Sequence, residues 1–316
     1  MNTTQSLFEG VIVLFVIILI AFFLKKMGVL KKELSLSLSQ IVLKVTLPAV
    51  IFTALALHNF NSTFLIMSLI MAIIELLILA IAWLIASALK FDSGEKGALM
   101  LVSAFGMTAF LGYPLIRQVF PGSALAMEEA IVTSEVGVGL LLFVLGPFIA
   151  MYYGESKEKG VVLTGLLKKF FTTPIFISLI AGIAFSFLHI PQNGIAFSIA
   201  FKTLHYIGDA NLLLVAFTIG LIFEVKKVRN MLLFVSIAVV LKLLVKPLMA
   251  LWFTDISLFT EMMREIVFIE TALPSAILTV VFAKQYNCRP DLVSTAIMAG
   301  LILSIATMSL SFMYFF

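Results

Sequence analysis

The chain carries little charge and almost no cysteine. Asp, Glu, Lys and Arg make up 12% of its 316 residues, against 62% hydrophobic, and the mean hydropathy is +1.18. No polar stretch is long enough for a water-soluble domain. The longest runs from Gly154 to Gly160, followed by Lys168 and Lys169. Cys288 is the single cysteine, which excludes an internal disulfide and a cysteine-cluster metal centre. His58, His189 and His205 lie far apart near the ends of apolar segments, a spacing that does not suit a metal site. HExxH, a nucleophile elbow and a Gly-rich phosphate loop are all missing, so nothing supports an intramembrane enzyme and no cofactor is expected. The formal charge of +4 calls for no nucleic-acid partner, because basic loops facing the cytoplasm account for it. Met1 to Gly10 holds Glu9 and no basic residue, unlike a cleaved signal peptide, so the first apolar segment is expected to persist.

What the chain has in abundance is apolar runs of membrane-spanning length, about 20 residues each. Ten are expected, at about 8–24, 37–57, 64–89, 97–120, 125–153, 170–188, 208–225, 230–253, 261–284 and 292–315. The loops after odd-numbered segments hold fifteen basic residues, among them Lys25, Lys26, Lys31, Lys32, Lys226, Lys227 and Arg229. The regions after even-numbered segments hold three: Arg117, Lys202 and Arg264. That bias predicts odd loops in the cytoplasm of a cell-membrane protein, with both termini outside. Five spans per half would turn the second half upside-down relative to the first. The expected fold is therefore an all-α membrane protein of ten transmembrane helices in two inverted repeats. Residues 1–153 form one repeat and 170–316 the other, joined by a short cytoplasmic loop over 154–169.

The fourth and ninth segments are interrupted. The fourth contains Gly106, Gly112 and Pro114, and the ninth breaks at Pro274. Paired interruptions at matching positions of two repeats point to the substrate site of a secondary transporter. Each break is expected to present the N-terminus of a second half-helix, near Leu115 and Ser275, at mid-membrane. Two such ends favour an anion, with Thr108, Tyr113, Thr271 and Ser275 adding hydroxyls, and a carboxylate fits better than a nucleotide. Glu75, Glu135, Lys242 and Glu270 fall inside segments, where ionisable residues suggest a relay, a pathway or an ion pair. Glu75 with Lys242 reads equally as a structural buried pair. Lys44 and Lys246 are expected to snorkel toward an interface, and Glu128 and Glu129 to be solvated.

These residues resemble the auxin efflux carrier family, which includes plant carriers and shorter bacterial members described as malate permeases. The stretch Ala272-Leu273-Pro274, then Val281-Phe282-Ala283-Lys284-Gln285-Tyr286-Asn287 and Pro290-Asp291, is similar to the family pattern ALP, VFAKEYN, HPD. Gly112-x-Pro114-Leu115 resembles its first crossover, and Lys242 falls where plant carriers have a basic residue. The resemblance covers essentially the whole chain. It implies ten helices, a scaffold with a moving transport part, organic-anion transport at a crossover that includes Met107, Thr108, Pro114 and Pro274, and a homodimer. The family commonly has Asn seven residues before the crossover proline, where this chain has Met107. That departure argues against auxin itself as substrate. The expected function is elevator-type secondary transport of a small organic carboxylate, proton-linked. The alternatives are a sodium-coupled symporter and, less favoured, a channel or a membrane sensor.

Overall fold

A computed structural model describes residues 3–56, 63–155, 165, 168, 170–188, 194–222 and 231–316. His58, His189, Lys226, Lys227, Arg229 and most of the 154–169 connection lie outside the described residues. Among those described, every regular element is a helix. In chain order these are α1 (Thr3–Lys26), α2 (Leu34–Ala56), α3 (Thr63–Ala88), α4 (Ser93–Ala104), α5 (108–119) and α6 (Ala124–Tyr153). There follow α7 (Pro174–Phe187), α8 (Ile195–Ile222), α9 (Leu232–Thr254), α10 (Glu261–Ala272), α11 (Ile277–Gln285) and α12 (Pro290–Phe315). Seven of them, α1, α2, α3, α6, α8, α9 and α12, are long and apolar enough to cross a membrane.

Among the described residues, wide π-turns interrupt four helices: Val42–Thr46 in α2, Thr108–Gly112 at the start of α5, Glu135–Gly139 in α6 and Leu241–Val245 in α9. Three of these are followed two residues later by proline, namely Pro48, Pro114 and Pro247. Proline lacks the amide that would close the ladder, and its ring clashes with the carbonyl one turn back. A widened turn relieves that clash without ending the helix. Pro114 therefore widens α5 and does not break it. The interruption of the fourth segment lies earlier, at Phe105–Met107, between α4 and α5.

The chain divides into two compact units, each drawing on both halves of the sequence. The first comprises Met1–Ser62, Ala109–Ile131 and Phe171–Phe223. Within it α1 packs on α8 and α2 on α7, helices brought close by small residues, as in other membrane bundles. A Cβ on Gly220 would stand 2.3 Å from the carbonyl oxygen of Ile18, and one on Gly182 2.9 Å from Leu55 Cβ. Lys25 donates from Nζ to the Leu221 carbonyl at 2.9 Å, and Phe52, Phe185, Phe197 and Phe201 form a ring cluster.

The second unit comprises Thr63–Thr108, Val132–Phe170 and Glu224–Phe316. Here α3 lies against α4 and against the π-turn of α6, where Gly137 lets the chain approach the Ser68 carbonyl. At one end, Asp92 and Glu95 form a capping box on α4. Arg289, in the left-handed region at φ 43°, gathers Asp92, Glu95 and Asp291 around its guanidinium. Cys288 is buried beside this knot, next to Gly97.

Candidate functional site

The second unit contains two helix breaks that satisfy each other. α4 ends where Phe105 turns extended (ψ 123°), and α10 ends where Leu273 does the same (ψ 149°). Leu273 precedes Pro274, and the residue before a proline is driven out of the helical region by the ring. The amide of Met107 donates to the Pro274 carbonyl at 2.9 Å, and the amide of Ala276 donates to the Phe105 carbonyl at 2.9 Å. Gly106 and Ser275 thus face each other as an antiparallel bridge. Backbone groups freed inside hydrocarbon need partners, and here each break supplies them to the other.

α9 runs beside this crossing and brings two lysines to it. Lys242 Nζ donates to the Thr271 carbonyl at 3.3 Å, near the end of α10. Lys246 Nζ donates to the Ala104 carbonyl at 2.7 Å, the last residue of α4, and is ion-paired with Glu75 of α3. All of Glu75, Lys242, Lys246 and Glu270 are fully or almost fully buried. Glu270 has no hydrogen-bond partner at either oxygen among the described residues, and its charged neighbours are Glu135, Lys246 and Lys242. Gly106 lets the lysine approach closely: a Cβ on it would stand 3.0 Å from Lys242 Nζ, which would have to shift.

The hydroxyls near the breaks are already engaged. Ser275 Oγ donates to the Val102 carbonyl at 2.5 Å, and Thr271 Oγ1 to the carbonyls of Val267 and Phe268 at 2.8 and 2.9 Å. Ser134 Oγ donates to Thr108 Oγ1 at 2.6 Å. Met107 is buried at the bridge, and Glu135 opens the π-turn of α6.

The first unit holds a cavity of about 330 Å³, the lower end of the range that takes a small organic ligand. Tyr113, Pro114, Arg117, Met127, Asp209 and Asn211 are among its walls. Arg117 pairs with Asp209 at 2.5 Å, and Asn211 accepts from Thr46 at 2.7 Å.

The protein family whose model matches residues 6–314 is described as membrane transport protein. The chain belongs to this family, the auxin efflux carriers. It is 25% identical over 293 residues to an uncharacterized transporter of Methanocaldococcus jannaschii, covering 92% of both chains. To an uncharacterized transporter of Methanothermobacter thermautotrophicus it is 27% identical over 304 residues, covering 96% of both. An all-helical, multi-pass membrane transporter is what sequence, helices and family agree on.

Of the residues expected at this carrier's site, the structure brings Met107, Thr108, Thr271, Pro274, Ser275, Glu75, Glu135, Lys242 and Glu270 into the second unit. Tyr113 and Pro114 belong to the first. Three expectations need correction. Lys246 does not snorkel but is wholly buried in an ion pair with Glu75, the partner expected for Lys242. Its spacing was the available signal: four residues after Lys242, it shares that residue's helix face. Glu128 and Glu129 are buried, not solvated, at 1% and 0% exposure, because α6 begins at Ala124 and carries both inward past its first turn. The N-terminal end of the first crossover lies at Thr108, not near Leu115.

Proposed function

We propose that the protein is a secondary active carrier that moves a small organic carboxylate, of the malate or auxin-like class, across the cell membrane by elevator-type alternating access linked to protons. The observation that carries this reading is the pair of mutually bonded helix breaks with fully buried lysines beside them and a Glu270 that has no hydrogen-bond partner among the described residues. α5 and α11 each begin at a break, and first-turn amides have no acceptor within their own helix. Those amides and the positive ends of the helix dipoles attract an anion. Lys242 adds a positive group, and Met107 offers a thioether to the apolar part of the substrate. Counting each interrupted pair, α4 with α5 and α10 with α11, as one span and α7 as a short one brings the seven long helices to the ten of the inverted-repeat plan. In that plan both termini face outward, and the family resemblance adds a homodimer.

Glu270 is the proposed proton carrier, since it is a fully buried carboxyl beside the breaks whose oxygens have no hydrogen-bond partner among the described residues, and an ionisable group inside a membrane suggests a relay. Glu270→Gln keeps size and shape but holds the neutral state. In proteoliposomes it should retain counterflow of the radiolabelled carboxylate that wild type accepts in an uptake screen, while losing accumulation driven by an imposed pH gradient. Accumulation equal to wild type under that gradient would remove Glu270 from proton coupling. A screen in which wild type exchanges no carboxylate would end the carrier reading itself.

A further inference from the structure

α4 and α10 both stop at the crossing, and each exposes the carbonyl end of a helix there. Last-turn carbonyls lack intrahelical donors and carry the negative end of the dipole. In carriers built on broken helices, such carbonyl ends are where coupling cations are held. In this chain each end receives a lysine nitrogen instead: Lys246 at Ala104 and Lys242 at Thr271. The two lysines are four residues apart on α9, so one helix face serves both ends. Carboxyl groups complete both surroundings, Glu75 at Lys246 by direct ion pairing and Glu270 as an ionisable neighbour of Lys242 whose oxygens have no hydrogen-bond partner among the described residues.

We propose that Lys242 and Lys246 occupy, as side chains tethered to α9, the positions that coupling metal cations would take, so that transport needs no sodium and removal of Lys242 opens a sodium site. The proposal rests on the carrier reading for its meaning, but its geometry stands on unit-internal contacts alone. Sodium is the appropriate probe because the groups left behind would be a backbone carbonyl and a carboxylate, hard oxygen donors of the kind that hold alkali and alkaline-earth ions. The Cβ of an alanine at 242 would also leave the space of an ammonium and its stem next to Gly106, where the nitrogen now sits.

The test has two readouts, each made in sodium chloride and in choline chloride at equal ionic strength. Melting of the purified protein in detergent is measured without substrate for wild type, Lys242→Ala and Lys242→Gln. Wild type should melt at the same temperature in both salts. The variants should gain about 2–4 °C or more in sodium, as expected for a ligand that binds only the folded state. In proteoliposomes, carboxylate exchange by Lys242→Ala should rise about tenfold when sodium replaces choline, the size of an ordinary coupling between two ligands. Wild type should not change.

A sodium response in wild type overturns the proposal. So does a lack of response in both variants, which would leave Lys242 as a plain helix cap. Variants that fold only when sodium is present support it, and variants that fold in neither salt overturn it. Because the melting arm needs no substrate, it decides this proposal even where the carboxylate screen fails. Conversely, carboxylate exchange with no sodium response in any protein would sink the proposal and leave the carrier standing.

Discussion

Lys246 and Glu75 show how much a single buried residue is worth in this fold. Removing one partner of a buried ion pair strands the other in a low-dielectric interior, at about 3–5 kcal/mol, whereas replacing both by apolar groups of similar volume is often neutral. Glu75→Leu or Lys246→Met alone should therefore lower stability by about that amount, and the double variant should recover most of it. A double-mutant cycle on melting in detergent measures the coupling, and additive losses would show that the pair contributes nothing as a pair. Cys288 makes the opposite kind of statement, about reactivity. Burial, with a smaller contribution from Asp92, pushes its thiol from 9.0 up to about 12. The folded state then holds the neutral thiol while the unfolded chain ionises from its ordinary value upward. Stability from this group is complete below pH 9 and declines between pH 9 and about 12. Cys288→Ala should therefore lose less melting temperature than wild type as pH is raised through that window. Parallel curves for the two proteins would show that the thiol does not titrate differently on unfolding.

At the scale of elements, prolines and glycines do different work. Pro48, Pro114 and Pro247 each follow a widened turn in a continuing helix, while Pro274 sits at a true break. A proline tells where a helix is stressed. Whether the stress is absorbed by a π-turn or by an interruption depends on what pairs with the freed backbone. At Leu273-Pro274 the pairing comes from Phe105 and Met107, which no local pattern around residue 274 announces. Glycine at 220 serves packing, since α1 approaches α8 so closely that a methyl group there meets the Ile18 carbonyl. Gly220→Ala should lower stability by about 1–3 kcal/mol through overpacking. Gly300→Ala in α12 is the control: its Cβ would meet only Pro274 Cβ at an ordinary 3.8 Å, and alanine in a helix interior gains about 0.5–1 kcal/mol over glycine. Equal losses at both positions would mean that the α1–α8 approach is not tight.

For the whole molecule, orientation is the first matter to test. The fifteen-to-three bias of basic residues predicts termini outside and the loop after α1 inside. In a Cys288→Ser background, cysteine at Thr3 should label with an impermeant maleimide from outside. Cysteine at Met27, an exposed position beside Lys25 and Lys26, should label only after permeabilisation. The reverse pattern would overturn the inverted-repeat plan as well, because that plan depends on the parity of the spans.

Composition and hydropathy alone determined that this is a helical membrane protein, because a bilayer admits few other ways to satisfy backbone polar groups. The family motifs near Pro274, and the paired interruptions, pointed to a transporter and to the residues that meet at the crossing. Three matters were decided only by tertiary structure: that Gly106, eight residues before Pro114, is the other half of the break; that Lys246 and not Lys242 pairs with Glu75; and that Glu128 and Glu129 are buried. In each case the deciding partner lies far away in the chain or on another helix. Hydrophobic pattern reports how often a residue faces lipid, but the pairing of a buried charge or a freed amide depends on which distant group arrives beside it.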